Sequence, residues 1–311
     1  MINLKHAPAI LAIVREGSIT AASKKLYVSQ PALSQTIKQV EEDLGTPIFR
    51  RDMHRIELTH AGKLYVEAVQ EMLTIDRNLH TCINESKGEV FGEFTMGISA
   101  QRGIQLLPQV LPEFMRRYPH VKIRLQEEGS ARLERMTMEG VCDLSFVTTN
   151  SKNNRMHYIL IKNEHLVLVA AKTTALAHRY PDGATLDISQ AREESFVSMM
   201  EGHSVRILQD EMFSRYGMNP HILLETNNME AAKSITARSN AVFLVPSVYV
   251  SDAMVDRYRV NIYQISNVEF ERHFYLCYRK GMRLTNYEKD LVRIVCNKLE
   301  VECNLPEDGE D

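Results

Sequence analysis

The 311-residue chain carries 37 Lys and Arg against 40 Asp and Glu, is 44% hydrophobic and contains five cysteines. That length suffices for about two domains with cores of their own, and no run approaches the ~20 consecutive apolar residues of a membrane span. The segment from Met1 to Pro8 lacks a basic stretch followed by a long apolar one, so no secretory signal is expected. Cys82, Cys142, Cys277, Cys296 and Cys303 form no CxxC pair and are odd in number, which argues against a disulfide framework or a structural zinc site. A cytoplasmic protein with reduced thiols, no metal and no cofactor is expected. The charge is unevenly placed: residues 1–66 hold nine Lys and Arg against six Asp and Glu, and the remainder holds 28 against 34. A basic head followed by an acidic body implies a division of labour.

From Leu4 to Glu85 the pattern is helical, apart from an interruption near 45–59. Ile19, Ala22 and Leu26 share one face of a short helix with Ser18 or Thr20 as its cap. Tyr27-Val28 makes a tight turn. Ser29 is then a good N-cap for a second helix, with Pro31 in its first turn, where a missing N–H costs little. Leu33, Ile37, Val40 and Leu44 form the buried stripe of that helix, and Pro31, Ser34, Gln35 and Lys38 fall opposite, with Gln30 at the leading end. Two short helices whose second displays amides, hydroxyls and a cation meet the needs of a major-groove reader: Gln pairs bidentately with adenine, Ser with either kind of edge, Lys with guanine or phosphate. From spacing alone, a helical hairpin with a plain polar face reads the same way. The next segment favours the reader. Phe49 to Thr59 predicts a β-hairpin bearing Arg50, Arg51, His54 and Arg55, a wing suited to phosphate or minor-groove contact.

The order of residues adds a resemblance. Glu16-Gly17-Ser18-Ile-Thr20-Ala21-Ala22, Leu26-x-Val28-Ser29-Gln30-Pro31-Ala32-Leu33-Ser34, Glu41-Glu42-x-Leu44-Gly45-x-Pro47-Ile48-Phe49-x-Arg51 and Leu58-Thr59-x-Ala61-Gly62 closely resemble the winged helix-turn-helix of LysR-type transcriptional regulators. The match spans roughly residues 4–66; the body matches more loosely, by length and element order. Family members often carry Arg at the position of Gln35, Gln at that of Thr36 and a large aromatic at that of Ile10, and Pro8 is unusual in the first helix. The resemblance with the residue reading assigns DNA contact to Thr20, Ser29, Gln30, Pro31, Ser34, Gln35, Lys38, Arg50, Arg51 and Arg55.

Between Ala61 and Glu85, Tyr65, Ala68, Met72, Ile75, Leu79 and Cys82 step by three and four, a seam of coiled-coil type. A helix lying on its own domain has the same pattern. A lone winged head reads a short site, whereas two heads held in symmetry read half-sites ~34 Å apart or a multiple of it, and the resemblance implies a dimerising linker helix and a dimer or tetramer.

After Phe91 strand-like runs alternate with amphipathic stretches. Phe94–Ile98, Val121–Leu125, Asp143–Val147, His165–Val169, Ile222–Leu224, Ala241–Val245 and Phe274–Tyr278 predict strands. Helices are predicted over 103–117, where Ile104, Leu107, Leu111 and Phe114 keep helical spacing, and near 203–216, 228–238 and 285–300. This alternation is the pattern of a parallel sheet with helices on its faces. The fold class expected is therefore α/β overall, and together with the resemblance it implies an N-terminal winged helix-turn-helix (1–60), a linker helix (61–88), a two-lobed α/β effector domain like periplasmic solute-binding proteins (92–303), and an acidic tail (304–311). The resemblance divides the effector domain into lobes of 92–163 plus 268–303 and of 164–267, crossed by two strands, with a small effector in the cleft.

Ligands of such sheets bind beyond the carboxyl ends of strands, at helix N-termini. The corners here offer Ser99, Gln101, Arg102, Ser130, Thr149, His203 and Asn228 as effector contacts, and Ser99, Ser130 and Thr149 stand where the family often places them. Each reads equally as a plain helix cap or loop residue. Converging corners favour an anion, with Arg102 or His203 as its counter-charge. An enzyme is disfavoured: GxxxxGK[ST], GxGxxG after a strand, HExxH and GxSxG are all missing, and eleven scattered histidines show no ligand spacing. A thiol switch like that of peroxide-sensing relatives is disfavoured by the lack of cysteine in 164–267; Met199-Met200 and the Cys296/Cys303 pair read as packing. The expected partners are double-stranded promoter DNA, further copies of the chain, a small-molecule effector and RNA polymerase, without a membrane.

Overall fold

The computed structural model describes residues 3–52, 55–85, 90–266 and 272–305. The chain divides into two compact units, residues 1–92 with 281–286 and residues 93–280 with 287–311. No helix among the described residues is long and apolar enough to cross a membrane.

The first unit begins with α1 (Ala7–Glu16), α2 (Ile19–Leu26) and α3 (Gln30–Leu44). Ser18 caps α2 by accepting from the Ala21 amide, and Ser29 caps α3 by accepting from that of Ala32, so each helix start follows from a side chain already present. Gly45, at φ 69°, ends α3 in the left-handed conformation, which costs a glycine little. Strands β1 (Phe49–Asp52) and β2 (Arg55–Leu58) pair antiparallel, and α4 (His60–Glu85) follows. Ile10, Ile13, Ala22, Leu33, Ile37, Val40, Ile48, Tyr65 and Val69 share one core, with Ile19 and Leu26 packed against it. Leu44, expected in the buried stripe, is 37% exposed, because the helix ends there and the chain turns away at Gly45.

Several residues that carry the family resemblance hold the head together. The Glu41 carboxylate accepts from the Ile48 and Phe49 amides at 2.9 and 3.3 Å, tying α3 to the wing. The Thr59 hydroxyl donates to the Pro47 carbonyl at 2.7 Å and accepts from the Gly62 amide at 2.9 Å. Gly62 is required sterically: a Cβ there would lie 2.0 Å from the Ile48 carbonyl oxygen. The first turn of α4 is thereby pressed onto the backbone that opens the wing.

On α4, Tyr65 turns into the head core instead of joining an outward seam, together with Val66 and Val69. The outward apolar row is Leu64, Met72, Ile75, Leu79 and Ile83, all exposed, with half-buried Ala68 between. Their steps of four, four, three, four and four keep coiled-coil periodicity on a face displaced by one residue at its start. The Cys82 side chain lies outside the described residues.

The second unit contains two sheets. Its elements are β3 (Gly92–Ile98), α5 (Ala100–Arg117), β4 (Val121–Glu127), α6 (Ser130–Met138), β5 (Leu144–Thr148), β6 (Met156–Glu164), β7 (Leu166–Ala171), α7 (Ala175–Arg179), β8 (Thr185–Leu186), β9 (Phe196–Met199), α8 (Ser204–Arg215), β10 (Ile222–Thr226), α9 (Met229–Arg238), β11 (Val242–Pro246), α10 (Asp252–Tyr258), β12 (Val260–Ile265), β13 (Arg272–Arg279) and α11 (Asn286–Lys298). A five-stranded sheet has the order β4-β3-β5-β13-β6 and a six-stranded sheet the order β10-β9-β11-β7-β12-β8. Both are mixed, which corrects the expectation of parallel sheets. β3 and β5 run parallel, as do β9, β10 and β11, but β13 is antiparallel to β5 and β6, and β7 is antiparallel to β11 and β12. β6 and β12 are strands beyond those the sequence predicts; their buried positions are interspersed with exposed ones, Leu160, Lys162 and Asn163 in β6 and Gln264 in β12.

Leu166–Ala170, Phe196, Val197 and Val242–Val245 are nearly sealed from solvent at the centre of the six-stranded sheet. In the other half Phe94 meets Phe114 and Tyr287 with ring centroids 5.9 and 5.8 Å apart. The buried face of α5 is Gly103, Leu106, Val110 and Phe114, one stripe over from the expected one, and Ile104 is exposed.

The cores also hold the thiols. Cys142, Cys277 and Cys296 are buried, and Cys303 is half-exposed. Burial pushes the Cys142 thiol up to about 11 and, with a hydrogen bond to Cys303, that of Cys296 to about 12; Cys277 is raised well above its ordinary range, first by burial. At pH 8 only about one Cys142 in a thousand is then thiolate, the reactive form. Native-state alkylation at that pH, read by peptide mass spectrometry, is expected to mark Cys303 well ahead of these three. Equal labelling would mean that the cores open on the labelling timescale.

Candidate functional site

Two groups of residues invite a functional reading, one in each unit. In the first unit, α3 buries Leu33, Ile37 and Val40 and turns the opposite face outward, leaving Gln30, Pro31, Gln35 and Lys38 exposed and Ser34 half-buried. Ser29 is spent on its cap, although its side chain remains exposed. Thr20 is exposed on α2. Lys38 is 3.6 Å from Glu42, a solvated pair that leaves the ammonium available. Arg50 is exposed on β1, where it faces Glu57 across the hairpin. The backbones of Arg51 and Arg55 lie in the wing, whereas their side chains, like all of His54, lie outside the described residues. Tyr27 was overlooked as a candidate: in the left-handed turn before α3 (φ 54°) it is 96% exposed, an aromatic ring held beside the leading end of the helix. The clue in the sequence was a bulky residue at a turn where Gly or Asn is usual.

In the second unit the expected corner residues separate into two sets. Ser130 accepts from the Thr148 amide at 2.9 Å, Thr149 closes a local turn on Ser151, and Asn228 caps α9 through the Ala231 amide; Ser99 precedes α5 with no side-chain capping bond. Gln101, Arg102 and His203 instead reach the crossing between the two sheets. A single residue, His165, separates β6 in one sheet from β7 in the other. Gln101 donates to Glu230 at 3.1 Å, and Gln105 donates to the Val248 carbonyl at 2.7 Å. Both bonds join α5, beside the five-stranded sheet, to segments of the other half.

Arg102 differs from the expectation of a free counter-charge. It is 7% exposed, its guanidinium lies 2.8 and 2.9 Å from the two oxygens of buried Glu164, and it stacks 3.8 Å from the centre of the Phe274 ring and 5.2 Å from that of Tyr249. Its charge is matched inside the fold. Arg272, on the strand position opposite Glu164, was not among the expected residues. It is 3% exposed and donates to the Ser204 hydroxyl at 2.9 Å. Burial holds its guanidinium below the ordinary arginine range, an effect opposed by Glu164. His203, the residue before α8, is pushed down first by burial and then by Arg272, which favours its neutral form. Lys233 is 3% exposed and satisfied by Glu230 at 2.8 Å and by the Tyr249 carbonyl at 3.1 Å. Next to Arg102 opens a cavity of about 460 Å³, bordered by Gln105, Gln109, Lys162, Phe274 and Leu299, within the size range of small-molecule pockets.

A helix-turn-helix with a wing, a long helix with an exposed apolar row, and a two-sheet α/β body with a polar crossing define a transcriptional regulator with an effector-binding body. The comparisons carry this to the family. The model of the bacterial regulatory helix-turn-helix protein, lysR family, matches residues 4–63, and that of the LysR substrate binding domain matches residues 87–299. An uncharacterized HTH-type transcriptional regulator, YcgK, of Bacillus subtilis (strain 168) is 28% identical over 254 residues, covering 77% of this chain and 78% of that protein. A full-length OxyR variant from Pseudomonas aeruginosa shares the fold with a TM-score of 0.69 at 17% identity, covering 98% of this chain and 96% of that one. Full-length CbnR, solved with its target DNA, has a TM-score of 0.56 at 19% identity, covering 96% and 100%. The chain belongs to the LysR family and is a DNA-binding transcriptional regulator with an effector-binding domain, not an enzyme.

Proposed function

We propose that the chain works in the cytoplasm as a dimer, or a tetramer of two dimers, that reads promoter DNA with α3 and the wing and contacts RNA polymerase there. Residues 1–60 bind DNA, residues 61–88 dimerise through the outward row of α4, and residues 92–303 receive a small anionic effector between lobes of 92–163 plus 268–303 and of 164–267. The observation that carries the DNA reading is the two-sided α3: Leu33, Ile37 and Val40 fix it to the head, while Gln30, Gln35 and Lys38 are exposed on the other side and Arg50 is exposed on the wing. Thr20, Ser29, Pro31, Ser34, Arg51 and Arg55 complete the proposed interface. The effector side rests on the polar crossing between the sheets, which would repack if the lobes rotated. For ordinary allosteric coupling the effector need favour one arrangement by only about 1–3 kcal/mol.

Footprinting on the DNA immediately upstream of the protein's own gene tests this. Protection over several helical turns with a two-fold-related core is expected. Gln30→Ala or Ser34→Ala should cost about 1–3 kcal/mol at that site and spare nonspecific binding. Arg50→Ala should weaken both and reduce the salt dependence by about one phosphate contact. If the two kinds of variant weakened every sequence equally, α3 would not be the reader.

A further inference from the structure

We infer that Cys296 and Cys303 form a dithiol site that a low-molecular-weight disulfide converts into an internal disulfide bond, Cys303 attacking first and Cys296 closing the bond. The site lies at the end of the last helix and uses no residue of the head or of the polar crossing between the sheets.

Seven residues apart, the two cysteines would share a face if α11 continued, but the helix stops at Lys298, between them. The Glu300 amide then donates to the Asn297 carbonyl at 3.4 Å and the Val301 amide to the Cys296 carbonyl at 3.0 Å, with Glu300 itself at φ 54°. These two nested bonds around a left-handed residue are a Schellman turn, which folds the chain back over the end of its own helix. A glutamate there makes the turn costlier than a glycine would. Past the turn, Cys303 belongs to no helix or strand and comes within hydrogen-bonding reach of Cys296. Two sulfurs that spacing alone reads as packing are thus brought into contact.

The two thiols differ as the chemistry requires. Cys296 is sealed from solvent, whereas Cys303 is half-exposed and open to a soluble reagent. Burial first, and then the hydrogen bond with Cys303, keep the proton on Cys296, so the first attack falls to Cys303. Its thiolate attacks one sulfur of the incoming R–S–S–R: a Cys303–S–R bond forms, the external S–S bond breaks, and the leaving R–S⁻ takes up the proton that Cys303 lost. The Cys296 sulfur then attacks that of Cys303. The internal S–S bond forms, the Cys303–S–R bond breaks, and the second R–S⁻ leaves with the Cys296 proton. Two cysteines are oxidised and one external disulfide is reduced to two thiols. Cys142 and Cys277 also sense one another, but both are sealed, so no reagent reaches either. Among the described cysteines, contact and access coincide at Cys296 and Cys303.

The test incubates the full-length protein with oxidised glutathione in mildly alkaline buffer, blocks free thiols with N-ethylmaleimide and digests with trypsin without reduction. Cleavage after Lys298 separates the two cysteines into peptides 294–298 and 299–311, so an internal disulfide is seen by mass spectrometry as a link between them. The linked pair is expected to exceed the glutathione adduct of Cys303 by about tenfold or more, because a thiol held in contact outcompetes one supplied at millimolar concentration. Dithiothreitol should return both thiols, and Cys142 and Cys277 should stay free throughout. Cys296→Ser should abolish the link and hold the adduct on Cys303. Cys303→Ser, a change at a half-exposed position outside regular structure, should leave Cys296 unmodified. A parent protein that accumulates the adduct on Cys303 while Cys296 stays free, that links Cys303 to another copy of the chain, or that takes up no glutathione and forms no link would overturn the inference.

Discussion

Replacing Ile75 and Leu79 together with Glu is expected to lower operator affinity about 100-fold or more while each head stays folded. Both side chains are apolar and largely exposed, at 68% and 57%, and neither belongs to the head core, so the monomer loses little by the change. In a symmetric pairing of two α4 helices they would be buried four at a time. At about 1.5–3 kcal/mol for each fully buried side chain, those four supply roughly the free energy of a micromolar dimer. Four carboxylates in the same seam would oppose it. Once the pairing is lost, each head must find its half-site alone, and the gain from effective concentration, about 100-fold to 10,000-fold, disappears. Sedimentation equilibrium reads the first consequence and footprinting the second. A variant that still sediments as the parent would place the contact between copies elsewhere.

Glu164→Gln is expected to destabilise the effector-binding domain by about 3–5 kcal/mol, the range for breaking a buried ion pair. The carboxylate is 3% exposed and stands between two buried guanidinium groups, one in direct contact with it and the other directly across the strand pair. An amide of nearly the same shape fills the same space, leaves Arg102 over the rings of Phe274 and Tyr249, and removes only the charge. The double variant Glu164→Gln/Arg102→Gln should recover part of the loss, because it withdraws one of the stranded cations. Urea unfolding followed by circular dichroism measures both. A loss below about 1 kcal/mol in the single variant would show that solvent reaches this crossing freely.

The head was legible in the sequence because its determinants are local. Ser18 and Ser29 stand just before their helices and accept from the amide three residues on, Gly45 closes α3, and the steps of Leu33, Ile37 and Val40 mark the buried side without knowledge of anything distant. The misplacements have equally plain causes. Tyr65 fits a coiled-coil row by spacing, and only the three-dimensional position of the head core turns it inward while Leu64 takes the outward place. The body was legible as elements and not as pairing. Bonds such as Gln101 to Glu230 or Gln105 to Val248 span more than a hundred residues, and the antiparallel runs of β13 depend on which strand lies alongside. Arg272 was missed for the same reason. An arginine opening a strand ordinarily reads as a surface residue, and its meaning comes from Glu164 opposite and from the start of α8, neither of which is near it in sequence.

The stitching of Thr59 and Gly62 to the backbone of Pro47 and Ile48, just before β1, has a mechanical consequence. With a carbonyl oxygen where a Cβ would stand and a hydroxyl bonded on both sides, α4 has no play at its base and acts as a lever fixed to the head. Its 26 residues make an arm of about 39 Å at 1.5 Å per residue. A 10° swing of that arm carries its far end through about 7 Å, or about two base-pair steps of DNA at 3.4 Å each. A change in where α3 sits along the duplex thus needs only a small angular movement, delivered undiminished by a joint that cannot bend.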